Sequence, residues 1–110
     1  MICDFGDVVV VPFPFVDLAA EKRRSSLIRS HATFNVSHGH SICAMITAAA
    51  RSNWPNDIAI ADLKLAGLNR PCVVRWKLFT LPNDFILRRA GRLVSGDRDK
   101  VGSIARNILA

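Results

Sequence analysis

Residues 7–15, which follow Gly6, are β-branched and aromatic, with Pro12 and Pro14 late in the run. This pattern predicts a strand that leaves its sheet at the end. Residues 16–24 turn polar and close on Lys22, Arg23 and Arg24, the pattern of a surface loop. Next come LIRS, a connection through ATFN, and the apolar run ICAMIT over residues 42–47, with Ser37, His38, Gly39 and His40 as the turn before it. Asn53, Pro55 and Asn56 mark another turn, Ile58 and Ile60 alternate with Ala59 and Ala61 in a short strand, and Gly67 marks a bend. Residues 73–81 alternate with period two, placing Val74, Trp76, Leu78 and Thr80 on one face and Val73, Arg75, Lys77, Phe79 and Leu81 on the other. Arg75 and Lys77 thus stand side by side. FILRRAGRLV fits either a strand pair or one strand bent around Gly91. Ser95 reads as an N-cap with Asp97 and Asp99 in the first turn, and Val101, Ile104, Ala105 and Ile108 follow at helical spacing. Short strands and one terminal helix predict a mainly β fold, a small antiparallel barrel plus α, with residues 1–110 as a single domain.

Composition narrows the class. A chain of 110 residues that is 50% hydrophobic and 22% charged supports one core and is far from a disordered composition. No apolar run approaches the roughly 18 residues that cross a bilayer, so no membrane role is expected. The opening MICDFGD carries acid where an export signal carries Lys or Arg, which points to a cytoplasmic protein. Cys3, Cys43 and Cys72 are odd in number and widely spaced, so disulfides are not expected. With His31, His38 and His40 they lack paired ligand spacing, and neither a metal nor another cofactor is expected. The net charge of +6 rests on eleven Arg and four Lys and suggests a phosphate-rich or acidic partner.

GDVVVVPFPFVDLAAEKRRSSLIRS resembles the opening of the PemK/MazF toxins of type II toxin–antitoxin pairs. FNVSHGHSICAMITAAA, AGLNRPCVVRWKLFTL and GRLVSGDR extend the resemblance along nearly the whole chain. It implies an SH3-like barrel with a C-terminal helix, usually a homodimer. It also implies a growth-inhibiting, metal-independent endoribonuclease, an mRNA interferase, that cuts single-stranded RNA at specific sequences and is silenced by a cognate antitoxin. Arg24 matches the Arg associated with catalysis at the end of the family's first loop, although Arg-Ser-Ser stands here for Arg-Pro-Ala. Thr47 matches the Thr or Ser whose hydroxyl contacts the scissile phosphate. Arg75 matches a strand Arg that some members use with an Asp two residues on, where this chain has Lys77.

Such a reaction needs a 2′-hydroxyl deprotonated, a phosphorane charge stabilised and a 5′-oxygen protonated. Arg24, Thr47 and Arg75 are the catalytic candidates, because guanidinium groups hold non-bridging phosphate oxygens bidentately. Arg23, Lys77, Trp54, His38 and His40 are the RNA-binding candidates. His38 and His40 also qualify as bases by their titration near neutrality, and Asp17 and Glu21 would serve if their loop folds over the site. Trp76 is expected in the core or a dimer interface, and Arg88, Arg89 and Arg92 either track phosphates or form a solvated edge. Two other readings keep the fold: a member that binds RNA or antitoxin without cutting, and a DNA-directed inhibitor of gyrase.

Overall fold

The computed structural model describes residues 1–13 and 22–109. Six strands, β1 (Asp7–Phe13), β2 (Lys22–Ile28), β3 (His40–Ala48), β4 (Ile58–Ala59), β5 (Cys72–Pro82) and β6 (Arg88–Arg92), form one curled antiparallel sheet in the order β4-β5-β3-β2-β1-β6. Among the described residues two α-helices accompany it, α1 (Ala32–His38) and α2 (Ser95–Ile108), the latter after the last strand. The expected mainly β architecture with a terminal helix is therefore present.

Alternation along the strands produces two apolar faces. Val8, Leu27, Ala44, Ile46, Cys72 and Val74 look toward α2 and pack with Val101 and Leu93. Val9, Val11, Ile28, Cys43 and Leu81 look the other way and pack with Cys3 and Ile86. Trp76 is half-buried and packs against the first cluster, the first of its two expected places. On α2 only Val101 and Ala105 of the apolar stripe are fully buried, while Ile108 is exposed.

Several local expectations are corrected. Lys22, Arg23 and Arg24 belong to strand β2 rather than to a loop, because Phe13, Pro12 and Val11 of β1 pair with them. Pro14 and Phe15, placed at the end of the first strand, lie outside the described residues, as do Asp17 and Glu21. ATFN is not a connection but the start of α1. That helix has no cap from its own N-cap residue; instead the Asp4 carboxylate accepts the Ala32 N–H at 2.8 Å, and Gly39 ends the helix at φ 65°, a backbone state costly for other residues. Asn35 anchors the helix from within, donating to the Cys3 carbonyl. FILRRAGRLV contributes one strand, β6, with a register shift against β1 between Val8 and Val9, and not a strand pair. Ser95 is the first residue of α2 and not its cap, a place held by Val94. Asp97 is buried and ties α2 to the chain after β4, accepting N–H groups from Ala61 and Asp62.

β3 and β5 carry the longest ladder, and it shifts between Ala44, which faces Leu78, and Met45, which faces Arg75. Trp76 and Lys77 are the two extra residues of this bulge, so the alternation of β5 survives while the strand bends.

Candidate functional site

β2, β3 and β5 end together on one side of the sheet. Thr47 and Ala48 pair with Val73 and Cys72, and the Ala49 N–H extends the ladder to the Pro71 carbonyl at 2.9 Å. The β2–β3 register runs Ser26 to Met45 and Leu27 to Ala44; continued by two residues, it sets Arg24 level with Thr47. Over these ends opens a cavity of about 290 Å³ lined by Arg23, Arg24 and Ser25 of β2, Ile46, Thr47 and Ala48 of β3, and Leu68, Asn69, Arg70 and Cys72. Alternation sends Arg23 to the face of Ile46 and Cys72, and sends Arg24 to the opposite face, where its guanidinium lies over the Phe13 ring at 5.0 Å.

The loop 68–70 owes its place to the turn before it. Gly67 adopts φ 73°, and a Cβ there would sit 2.2 Å from the Ala90 carbonyl oxygen; one on Gly91 would sit 2.2 Å from the Leu65 carbonyl oxygen. Backbone meets backbone at both points, and the Arg92 N–H bonds Leu65 O at 3.0 Å.

Among the described residues, Arg23, Arg24 and Arg70 form no ion pair, and the cavity lining contains no carboxylate or imidazole. The site is a pocket of uncompensated positive charge beside a hydroxyl, a combination suited to phosphate. Burial pushes the Cys72 thiol up, and the charge of Arg70 pulls it partly back. Sequence reasoning missed Arg70, Asn69 and Cys72. The signal was present in LNRPC, where an Arg precedes a Pro that cannot continue a strand ladder, but only the fold brings that loop to Thr47.

Arg75 is elsewhere. Its Nη2 pairs with Asp57 Oδ2 at 3.1 Å and donates to the Arg51 carbonyl at 3.0 Å, and its guanidinium stacks on Trp54 at 5.0 Å. Only 13% of the Arg75 side chain and 5% of the Asp57 side chain remain accessible. Burial opposes ionisation of Asp57, yet bonds from Arg75 and Ser52 outweigh it and hold the carboxyl below its ordinary value. This cluster fastens residues 51–57 to β5. Trp54 remains exposed at its edge of the cluster although Arg75 lies over its ring, and Lys77 stands exposed on the bulge.

His38 ends α1, stacked on Phe34 at 4.0 Å, and His40 opens β3 with Nδ1 2.9 Å from the His38 carbonyl oxygen. Thr47 lies seven residues along β3 from His40, about 23 Å at strand rise. Neither His reaches the cavity. Arg88, Arg89 and Arg92 lie exposed on the edge strand β6, where Arg89 pairs with Asp7 at 3.5 Å. Among the described residues, no three His, Cys, Asp or Glu side chains cluster as metal ligands would, and no helix is long and apolar enough to cross a membrane.

Comparison with known proteins adds the family. Residues 4–109 match the model of the PemK-like, MazF-like toxin of type II toxin–antitoxin systems. No curated protein matches the sequence. Among solved structures the chain is similar to the MazE–MazF assembly of Deinococcus radiodurans, with TM-score 0.75, 18% identity, and 98% and 97% of the two chains covered. It is also similar to a mycobacterial endoribonuclease in complex with its cognate antitoxin (0.70, 16%, 96% and 91%). A third relative is the Mycobacterium tuberculosis toxin MazF-mt6 (0.72, 20%, 92% and 93%).

Proposed function

We propose, for a chain that belongs to the PemK-like, MazF-like toxins of type II toxin–antitoxin systems, that it is a metal-independent endoribonuclease cutting single-stranded RNA at specific sequences. The observation that carries this reading is the shared cavity of Arg23, Arg24 and Thr47. In the reaction the 2′-oxygen attacks the adjacent phosphorus and the 5′-oxygen leaves, giving a 2′,3′-cyclic phosphate and a 5′-hydroxyl end. Arg24 meets the negative charge that grows on the non-bridging oxygens, and the Thr47 hydroxyl donates to one of them. The lining supplies fixed positive charge where a divalent ion would otherwise serve, and among the described residues it offers no carboxylate to hold such an ion. The 2′-hydroxyl proton passes to water or to a group from residues 14–21, which contain Asp17 and Glu21, and water returns a proton to the departing 5′-oxygen.

The related structures that hold toxin and antitoxin together support a cognate antitoxin as the partner of this chain, and an acidic segment of it would complement the +6 charge. A homodimer in the cytoplasm is part of the same proposal. The test is incubation of the purified chain and its Arg24→Ala variant with mixed-sequence RNA in EDTA, with all ends mapped. Recurrent cuts with 5′-hydroxyl ends that vanish in the variant are expected. Intact RNA from folded, antitoxin-free protein would overturn the nuclease reading, and stabilised DNA breaks in the presence of gyrase would replace it.

A further inference from the structure

The cavity holds more positive charge than one phosphate needs. Arg24 is committed to one face of the sheet by its contact with Phe13, on the side to which Thr47 also alternates. Arg23 alternates to the other face, and across the strand ends from it stands Arg70, the last residue of the loop 68–70 before Pro71. Its charge is felt by the Cys72 thiol on the cavity wall. The cavity thus holds Arg24 on one face of the sheet, Arg23 on the other, and Arg70 across the strand ends on the loop 68–70.

A phosphodiester carries one negative charge, and a strand laid over the ends of β2, β3 and β5 presents one phosphate after another. We infer that Arg70, together with Arg23, forms a second phosphate site that grips the phosphate adjoining the one held by Arg24 and Thr47, making Arg70 a substrate-binding residue that sets where the RNA backbone lies. The inference rests on the RNA-directed reading of the cavity and deepens it. Arg70 suits this role because it is exposed and, among the described residues, neither ion-paired nor hydrogen-bonded. Its guanidinium is free to meet an incoming anion, unlike that of Arg75. The consequence is a minimum length: a dinucleotide with a single phosphate lacks the group that Arg70 holds, and a trinucleotide carries it.

The experiment uses a short RNA spanning a mapped cut site, or mixed-sequence RNA if no cut is found, with a 2′-deoxy sugar at the attacked nucleotide to block cleavage. Binding is measured by fluorescence anisotropy over a salt series for the wild type, Arg70→Ala and Arg70→Lys. Removing one cation that neutralises a phosphate of a single strand lowers the slope of log affinity against log salt by about 0.7. Arg70→Ala is expected to bind about tenfold more weakly with that drop in slope, and Arg70→Lys to recover most of it, since a point charge still meets a phosphate. With cleavable RNA the loss is expected in KM, with kcat within about threefold. A neutral methylphosphonate at one neighbouring position should weaken the wild type as much as Arg70→Ala does, and add nothing to that variant. Unchanged affinity and slope in folded Arg70→Ala, or additive losses at every methylphosphonate position, would overturn the inference. The two readings fail separately: a chain that binds RNA through Arg70 but cuts none loses the nuclease reading and keeps this one, whereas a chain that cuts through Arg24 with no effect at Arg70 does the reverse.

Discussion

Arg24 and Arg75 are both strand arginines, a short distance apart across β3 in the order of the sheet, yet their surroundings are opposite. Arg24 stands against an aromatic ring in a cavity where no described carboxylate answers it. Arg75 has Asp57, a backbone carbonyl and Trp54 around its guanidinium. A buried arginine with its counter-charge supplied internally is a fastener. One with no internal counter-charge is left available to an anion that arrives from outside. Residue type and strand position do not separate the two roles; the neighbouring anion does.

The comparison breaks most sharply under substitution. Arg24→Ala should lower RNA cleavage by about 10²–10³-fold while leaving thermal unfolding nearly unchanged, as the loss of one preorganised charge at a developing oxyanion does elsewhere. Single-turnover cleavage and calorimetry on the same sample decide it. Arg75→Ala should do the converse: it strands the shielded Asp57 carboxylate and should cost about 1–3 kcal/mol of stability in a denaturant titration. At a temperature where it remains folded, cleavage should stay within about threefold of wild type. If Arg75→Ala abolishes cleavage in a fully folded sample, the division between the two regions is wrong.

A smaller effect belongs to pH. Because the folded protein holds Asp57 below its ordinary value, the native state binds fewer protons there than the unfolded chain, so stability rises with pH through that range. The contribution is fully present above about pH 4 and is lost as pH falls through the depressed folded value. Asp57→Asn should flatten the acid limb of a stability–pH profile, and an unchanged limb would remove Asp57 from the account. The least effect is a matter of access. Cys43 is buried and its thiol is pushed up to about 12 by burial and by neighbouring Cys3, whereas Cys72 lines the cavity beside Arg70. Maleimide labelling followed by mass spectrometry should mark Cys72 before Cys3 and Cys43, and bound RNA should slow it.

Much of this fold is legible in the chain: β1 in its β-branched run, β3 in the apolar run ICAMIT, and β5 in its period-two alternation. Even the two-residue bulge at Trp76 and Lys77 keeps the face assignment, since an even insertion preserves parity. α1 is not legible, because ATFNVSH has no apolar stripe and its cap comes from Asp4, 28 residues away. The start of β2 escapes for a related reason: KRRSS is polar, and only pairing with β1 makes it a strand. Of the site, Arg23, Arg24 and Thr47 are recognisable in the sequence and do meet in one cavity. Arg75, grouped with them by its match to a family strand Arg, does not line that cavity, and its partner Asp57, 18 residues back in a turn, is not visible in any local pattern. His38 and His40 suit the chemistry by residue type alone, and the length of β3 sets them apart from the cavity.

The interlock of Gly67 with Ala90, and of Gly91 with Leu65, has a temporal side. The turn that presents Arg70 is seated on β6, a strand that joins β1 at the far edge of the sheet from β4. A chain still being synthesised, with residues 88–92 not yet clear of the ribosome, has β2, β3 and β5 available but nothing to seat that turn against. The last wall of the cavity is raised only when distant parts of the sequence have docked, a slow kind of contact to close. In a nascent polypeptide the cleft thus stays unfinished until residues 88–92 have emerged.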